Sequence, residues 1–165
     1  MGADLRAIGR QFAISGEYVS GGPYGTGHIN DTFAATFQQG SGPTRFILQR
    51  INHHVFKNIE GLMSNIVAVT GYLSRKIRAD GGDPLRETLN LVPTRDGRSF
   101  LQTEGGEFWR AYVFIEGART YESVERMEHV YAAGRAYGSF QNLLSDFPSE
   151  VLLETIPSFY HTGER

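Results

Sequence analysis

The chain has 165 residues, a formal net charge of −2, 40% apolar residues and no cysteine, a length and composition typical of one globular domain with a hydrophobic core. The near-neutral charge disfavours nucleic acid and anionic membranes as partners, and the lack of cysteine excludes disulfides and thiolate chemistry. No apolar run is long enough for a signal peptide or a spanning helix, so we expect a cytoplasmic protein that does not contact a membrane.

The first third of the chain predicts a short helix and three strands. Leu5, Ile8 and Phe12 recur at helical spacing, which predicts a helix over residues 4–12. Beyond a glycine-rich loop, the apolar period changes from helical spacing to strict alternation, which indicates half-buried strands. The three extended segments cover residues 17–23, 32–37 and 45–51.

A long helix and a hydrophobic strand dominate the middle of the chain. Apolar residues from Ile59 to Ile77 recur on one helical face, and Glu60 in the first turn suits the helix dipole. Residues 81–84 carry the glycines and proline that end a helix. A strand of residues 108–115 has no polar face, which predicts a central place in the sheet. Other extended segments are predicted over residues 89–94 and 100–102.

A second long helix is predicted over residues 124–144, with Ser123 as its N-cap. Its predicted packed stripe consists of Met127, Val130, Tyr131, Gly134, Tyr137, Gly138, Gln141 and Leu144. Residues 148–165 are expected to be irregular. The order of elements predicts an α+β fold, an antiparallel five-stranded sheet with one helix inserted after its third strand and a helical segment following it.

The loop after the first extended segment has the chemistry of a phosphate-binding loop. Residues 25–30 match the start of a G-x-G-x-x-G pattern, but the sixth position is Asn30. A strand follows rather than a helix, which argues against a dinucleotide-binding turn and favours a loop that joins two antiparallel strands over ATP phosphates. Glycines let main-chain N–H groups approach phosphate oxygens. A turn that only closes a hairpin remains the alternative.

Several segments, in order along nearly the whole chain, resemble one family. They are residues 23–33, 45–52, 62–65, 109–116, 137–147 and 154–162. They are similar to bacterial N-acetylhexosamine 1-kinases, which belong to the aminoglycoside phosphotransferase and choline kinase superfamily and have a fold similar to that of protein kinases. The resemblance implies a kinase-like N-terminal lobe over residues 1–117. It also implies that residues 118–165 are a hinge and the helical start of a truncated C-terminal lobe.

The resemblance implies that the lobe binds ATP with a phosphate loop, one strand residue and a hinge. The implied binding residues are Gly25, Thr26, Gly27, His28, Asn30, Thr32, Gln49, Phe114, Ile115 and Glu116. Gln49 occupies the position at which most relatives carry a phosphate-holding lysine. A neutral amide can donate a hydrogen bond to a phosphate but cannot neutralise its charge. Since Glu60 lies in the first turn of its helix, the usual lysine–glutamate ion pair is not expected either.

The groups that perform phosphoryl transfer are not found in this sequence. The reaction needs an aspartate that orients the acceptor hydroxyl and oxygen ligands for Mg²⁺, and the resemblance implies that both lie in the second lobe. Asp146 and Phe147 share two letters with a D-F-G motif, but Pro148 after them predicts a helix stop. We therefore expect no catalytic or metal residue here, and Mg²⁺ only together with the C-terminal lobe.

Two classes of function follow. In the first, the full-length protein transfers the γ-phosphate of ATP to the anomeric hydroxyl of an N-acetylhexosamine, or to another acceptor of the superfamily such as an aminoglycoside, choline or homoserine. In the second, the chain is a non-catalytic module that binds a nucleotide or a partner. The second class predicts an exposed apolar face that favours self-association, with contributions from Trp109, Phe114, Tyr131 and Tyr137.

Overall fold

The structure is a computed structural model that describes residues 3–118, 121, 123–159 and 163. The sheet is built from β1 (Glu17–Pro23), β2 (Asp31–Gln39), β3 (Gly42–Ile51), β4 (Leu91–Val92), β5 (Leu101–Gln102) and β6 (Phe108–Val113). The helices are α1 (Leu5–Arg10), α2 (Ile59–Ala79), α3 (Pro84–Glu87) and α4 (Met127–Leu143), followed by a short 3₁₀ turn over Ser149–Val151. The order of elements confirms an α+β fold with a long helix inserted after the third strand.

The sheet is antiparallel and has six strands rather than the five expected. Five of them follow the order β1-β2-β3-β6-β4, and β5 also pairs with β6. Leu91 and Val92 pair with the second half of β6, whereas Leu101 and Gln102 pair with its first half. Two short strands thus share one edge of β6, because the turn between them lets the chain return to the same neighbour. The central position predicted for β6 is confirmed.

One face of the sheet carries the larger hydrophobic core. Alternate residues of β2, β3 and β6 point to this face, as period-two side chains must. Among them are Phe37, Leu48 and Trp109, each at most 2% exposed. The chain around α1 covers this face with Leu5, Phe12 and Ile14. Asp4 caps α1 by accepting a hydrogen bond from the Ala7 amide at 3.0 Å.

The opposite face of the sheet is covered only in part, by α2. The N-terminal half of α2 buries Ile59 and Met63 against Ile51 at the end of β3. The Asn58 side chain caps the helix by accepting from the Gly61 amide at 2.8 Å. The rest of this face, over the middle of β3 and β6, borders cavities rather than a packed helix, and the candidate site lies there.

α4 differs from its prediction at its start and in its packing. It begins at Met127 rather than near residue 124, and Arg126 occupies the N-cap position without a side-chain cap, so Ser123 lies outside the helix. All 17 residues of α4 are described and none is buried. Tyr131 and Tyr137 are 74% and 65% exposed. The predicted stripe therefore exists on the helix but is not buried, and Val130, Gly134 and Tyr137 border an open cavity with Tyr121 and Val124.

The end of α4 is tied to α2 by polar and aromatic contacts. Lys76 forms an ion pair with Asp146, and the rings of Tyr72 and Phe147 meet edge to face at 5.2 Å. The Asn65 side chain donates to the Leu153 carbonyl at 2.7 Å and accepts from the Leu153 amide at 2.9 Å. Asp146 thus serves as an anchor for the chain after α4. None of the helices within the described residues is both long and apolar enough to cross a membrane.

Candidate functional site

The glycine loop joins β1 and β2, two antiparallel strands, as its sequence predicts. The Tyr24 amide donates to the Thr32 carbonyl at 2.8 Å and closes the base of the loop, and residues 25–30 contain no helix. Gly25 has φ +78°, a conformation that favours glycine. A Cβ added at Gly25 or Gly27 would meet no atom of the described residues within 4 Å. Packing within the chain therefore does not require these glycines, and the space beside them is open to a ligand.

A cavity of about 410 Å³ lies on the partly covered face of the sheet, next to the base of this loop. Its walls include Tyr24, Gln49, Arg110, Tyr112, Phe114 and Ile115. The structure thus brings together three of the predicted binding residues, Gln49 from β3 and Phe114 and Ile115 from the chain after β6. Most of the wall is apolar, and a few polar groups converge on it, which is the usual build of a small-molecule site.

The chain after β6 presents main-chain groups beside this cavity. The Phe114 amide donates to the Arg45 carbonyl at 3.2 Å, and the Glu116 carbonyl accepts from Arg86 at 2.8 Å. Between them, the Ile115 amide and carbonyl have no hydrogen-bond partner among the described residues. A partly buried donor and acceptor side by side are available to a ligand with the complementary pair of groups.

Aromatic and charged side chains hold this segment in place. The Phe114 ring meets the Tyr24 ring edge to face at 5.3 Å, and the Arg45 guanidinium lies 3.8 Å from its centre. Arg45 also forms an ion pair with Glu116, and this hydrogen-bonded contact lowers the pKa of Glu116. The Glu116 side chain is exposed and does not line the cavity. Its main-chain carbonyl already accepts from Arg86, and Glu116 is not among the residues that line the cavity.

A row of polar side chains crosses the cavity face of the sheet. Thr32, Gln49 and Arg110 are register partners on β2, β3 and β6. Gln49 Nε2 donates to Thr32 Oγ1 at 2.7 Å, and Gln49 Oε1 accepts from Arg110 Nε at 2.9 Å and from Arg110 Nη2 at 2.7 Å. Gln49 and Arg50 point to opposite faces, as alternation predicts; Arg50 instead pairs with Asp31 and Glu107.

The guanidinium of Arg110 is buried without a carboxylate. The residue is 9% exposed, and none of the carboxylates in the described part of the chain lies within 4.0 Å of it. Its third contact is a long one, from Nη1 to Met63 Sδ at 3.9 Å. Burial lowers the pKa of Arg110 below its usual value, since the charged form loses hydration. An arginine remains protonated all the same, so the site contains a positive charge.

The other predicted loop residues are not gathered at this cavity. Asn30 Oδ1 accepts from the Asn52 amide at 2.9 Å and fixes the end of the loop to the chain after β3. Thr26 is exposed, and His28 lines a separate polar cavity of about 370 Å³ together with Asp31 and Arg50. Among the binding residues predicted from sequence, the arrangement therefore separates His28 from Gln49, Phe114 and Ile115.

The cavity presents one buried cation, Arg110, and a main-chain donor and acceptor at Ile115 that have no partner among the described residues. Such groups suit a small organic molecule that carries an anionic group. Within the described residues, no group of three His, Cys, Asp or Glu side chains could hold a metal ion. The cavity therefore offers contacts to an anionic organic ligand.

Arg110 was missed at the sequence level, although one signal pointed to it. It is the charged residue in the middle of β6, the most hydrophobic strand of the chain. A cation at such a position needs a partner, and alternation alone does not say which.

No protein-family model matches the sequence.

Proposed function

We propose that this chain is the nucleotide-binding lobe of an ATP-dependent small-molecule phosphotransferase. The observation that carries the proposal is the cavity of about 410 Å³ in which Gln49, Phe114 and Ile115 meet beside the base of the glycine loop. The resemblance implies roles in ATP binding for the same three residues. Gln49 is 65 residues before the adjacent pair Phe114 and Ile115, and their meeting in one cavity is not expected if each served only its own strand or turn.

The surrounding architecture supports the same function. The loop of residues 25–30 joins two antiparallel strands, and the long α2 follows the third strand, as in the kinase-like lobe implied by the resemblance. ATP would enter with its adenine against the free main-chain groups of Ile115, between Tyr24 and the sheet. Its phosphates would extend beneath the glycine loop, whose amides can approach them closely.

The acceptor we propose for the full-length protein is the anomeric hydroxyl of an N-acetylhexosamine. It rests on the resemblance of the ordered segments given above, and aminoglycosides, choline and homoserine are the other acceptors in the same superfamily. Phosphoryl transfer requires an aspartate near the acceptor and bound Mg²⁺. Since neither is assigned to these 165 residues, this chain alone should bind nucleotide without turnover. Phosphorylation of N-acetylglucosamine by this chain at ordinary kinase rates would contradict that expectation.

Thermal unfolding with adenosine and with ATP tests nucleotide binding directly. At about ten times its Kd, a ligand stabilises the folded state by about 1.4 kcal/mol, which is a rise in Tm of roughly 3–6 °C for a chain of this size. Ala118→Trp should abolish the rise because Ala118 is an exposed residue on the cavity wall. Ala79→Trp, at the exposed end of α2, is the matched control and should keep it. Equal shifts in both variants, or no shift in the native chain, would count against the function.

A second candidate function is favoured by the surface of α4. Met127, Tyr131 and Tyr137 are each at least 65% exposed, which suits a module that associates with a second copy of itself. The sequence-based expectation for this face was wrong in one residue, because Trp109 is completely buried in the sheet core. Light scattering distinguishes the two candidates. A strictly monomeric chain whose Tm does not respond to nucleotide would contradict both.

A further inference from the structure

We propose that Arg110 is the anion-binding group of the cavity and receives a phosphate of the nucleotide, which supplies the charge that Gln49 cannot. The proposal rests on the proposed function and adds to it a specific residue, on β6 rather than β3. The guanidinium of Arg110 is buried on the sheet face, and no carboxylate of the described residues is paired with it.

The burial of Arg110 distinguishes it from the other arginines on the sheet. Arg45 and Arg50 have side chains 41% and 38% exposed, and each is paired with an acidic side chain. Arg110 is more buried than either, and its partners among the described residues are all neutral: Gln49, Met63 and the ring of Tyr112, whose centre lies 5.5 Å from the guanidinium. Buried charges in proteins are normally paired, because removal from water is costly and an arginine cannot shed its proton. An anionic ligand would complete this arrangement.

The guanidinium has unused donors. Arginine carries five N–H groups, and three of them are engaged by Gln49 Oε1 and Met63 Sδ. Two remain without a partner among the described residues. The geometry of a guanidinium matches the oxygens of a phosphate, and such charge-assisted hydrogen bonds are about twice as strong as neutral ones.

Gln49 orients a second donor toward the same ligand. Because arginine has no acceptor, the Gln49 carboxamide must present Oε1 to Arg110 and Nε2 to Thr32. Thr32 Oγ1 therefore acts as the acceptor in that bond, and its own hydrogen is left to donate elsewhere. The row Thr32–Gln49–Arg110 then presents donors along one line from the loop to the buried charge. Gln49 is the positioning residue that fixes the line.

The location of the row indicates which cavity the anion enters. Arg110 borders both the cavity beside the glycine loop and an apolar cavity against α2 that includes Ile66, Val69 and Leu73. Only the first of these also contains Gln49. The anion therefore lies on the side of Arg110 that faces Gln49 and Tyr24, at the base of the glycine loop.

Calorimetric titration of the 165-residue chain with adenosine, ATP and tripolyphosphate tests the proposal. We expect ATP to bind more tightly than adenosine, and Arg110→Met to remove most of that preference, a loss of roughly tenfold to hundredfold in ATP affinity. Adenosine affinity should change little. Gln49→Glu provides Arg110 with a carboxylate at the same place, so it should also remove the preference while keeping the fold. Arg50→Met, on the other face of the sheet, is the matched control.

The outcomes separate this proposal from the function on which it rests. If adenosine and ATP bind the native chain equally, or if Arg110→Met and Gln49→Glu both retain the preference for ATP, Arg110 is not the anion-binding group, although the nucleotide site stands. If tripolyphosphate binds the native chain and not Arg110→Met while adenosine never binds, the anion site stands and the nucleotide function fails. If none of the three ligands binds, both are overturned.

Discussion

The sheet and α4 show how the same kind of apolar pattern leads to opposite structural outcomes. In the sheet, alternation buries Phe37, Leu48 and Trp109 to 2% exposure or less. In α4, a stripe of equally large apolar residues includes Tyr131 and Tyr137, which are mostly exposed. A period specifies which residues share a face, but burial also requires a partner surface. The sheet has two, around α1 and along α2, whereas in the described part of the chain the residues beside α4, such as Tyr121 against His129, leave the whole helix unburied.

The largest expected effect concerns the sheet core. Trp109→Ala should lower the free energy of unfolding by about 3–5 kcal/mol, because it removes a completely buried ring and leaves a cavity. Tyr137→Ala, on the exposed face of α4, should change it by no more than about 0.5 kcal/mol. Denaturant unfolding measures both. If Tyr137→Ala lowered the free energy of unfolding as much as Trp109→Ala, α4 would be packed in solution. The difference in burial between the sheet and α4 would then be contradicted.

The next prediction concerns Arg110, whose replacement should increase rather than decrease the free energy of unfolding. Arg110→Met should raise the stability of the ligand-free chain by about 1 kcal/mol, because it replaces a buried charge that lacks a carboxylate partner with a flexible apolar side chain. Arg50→Met should lower stability by up to about 1 kcal/mol, since it removes an ion-paired surface residue. Unfolding curves without nucleotide give both values. A marked loss of stability in Arg110→Met would show that the arginine stabilises the sheet.

A smaller effect concerns the anchor between α2 and the chain after α4. Asn65→Ala removes both hydrogen bonds to Leu153 and should cost about 0.5–1.5 kcal/mol. The loss should be local, so hydrogen exchange at the Leu153 amide should accelerate while the sheet amides stay protected. Ser64→Ala, at the exposed neighbouring position, should have no such effect. Unchanged exchange at Leu153 would contradict the anchor.

The smallest effect is the acid dependence of the same anchor. Hydrogen bonds from Lys76 and then Tyr72 lower the pKa of Asp146 to about 2. Since the folded pKa lies below the ordinary value of 3.8, the contact is fully present above about pH 4 and is lost as the pH falls toward 2. Carbon-detected NMR titration should report this pKa, and Lys76→Met should raise it. A native value near 3.8 would contradict the ion pair.

Some of the fold could be predicted from the sequence and some could not, and the difference lies in whether the pattern is local. The alternation in β2 and the stripe of α2 predicted their faces correctly, because those patterns are local and each face found a partner. Trp109 was misplaced on an exposed surface, because its burial depends on α1 and on strands distant in sequence. The contact between Gln49 and Arg110 spans 61 residues, and it follows from strand register, which alternation does not fix. His28 lies in the loop between β1 and β2, outside any strand, so alternation does not say which cavity it lines.

Amide-resolved NMR with increasing ATP tests the central claim most directly, that the cavity beside the glycine loop holds a nucleotide. We predict shifts of the Gly25, Gly27 and Ile115 amides and of the Arg110 Nε–H, with no response over Met127–Leu143. Shifts confined to α4, or an unchanged spectrum at saturating ATP, would contradict the account.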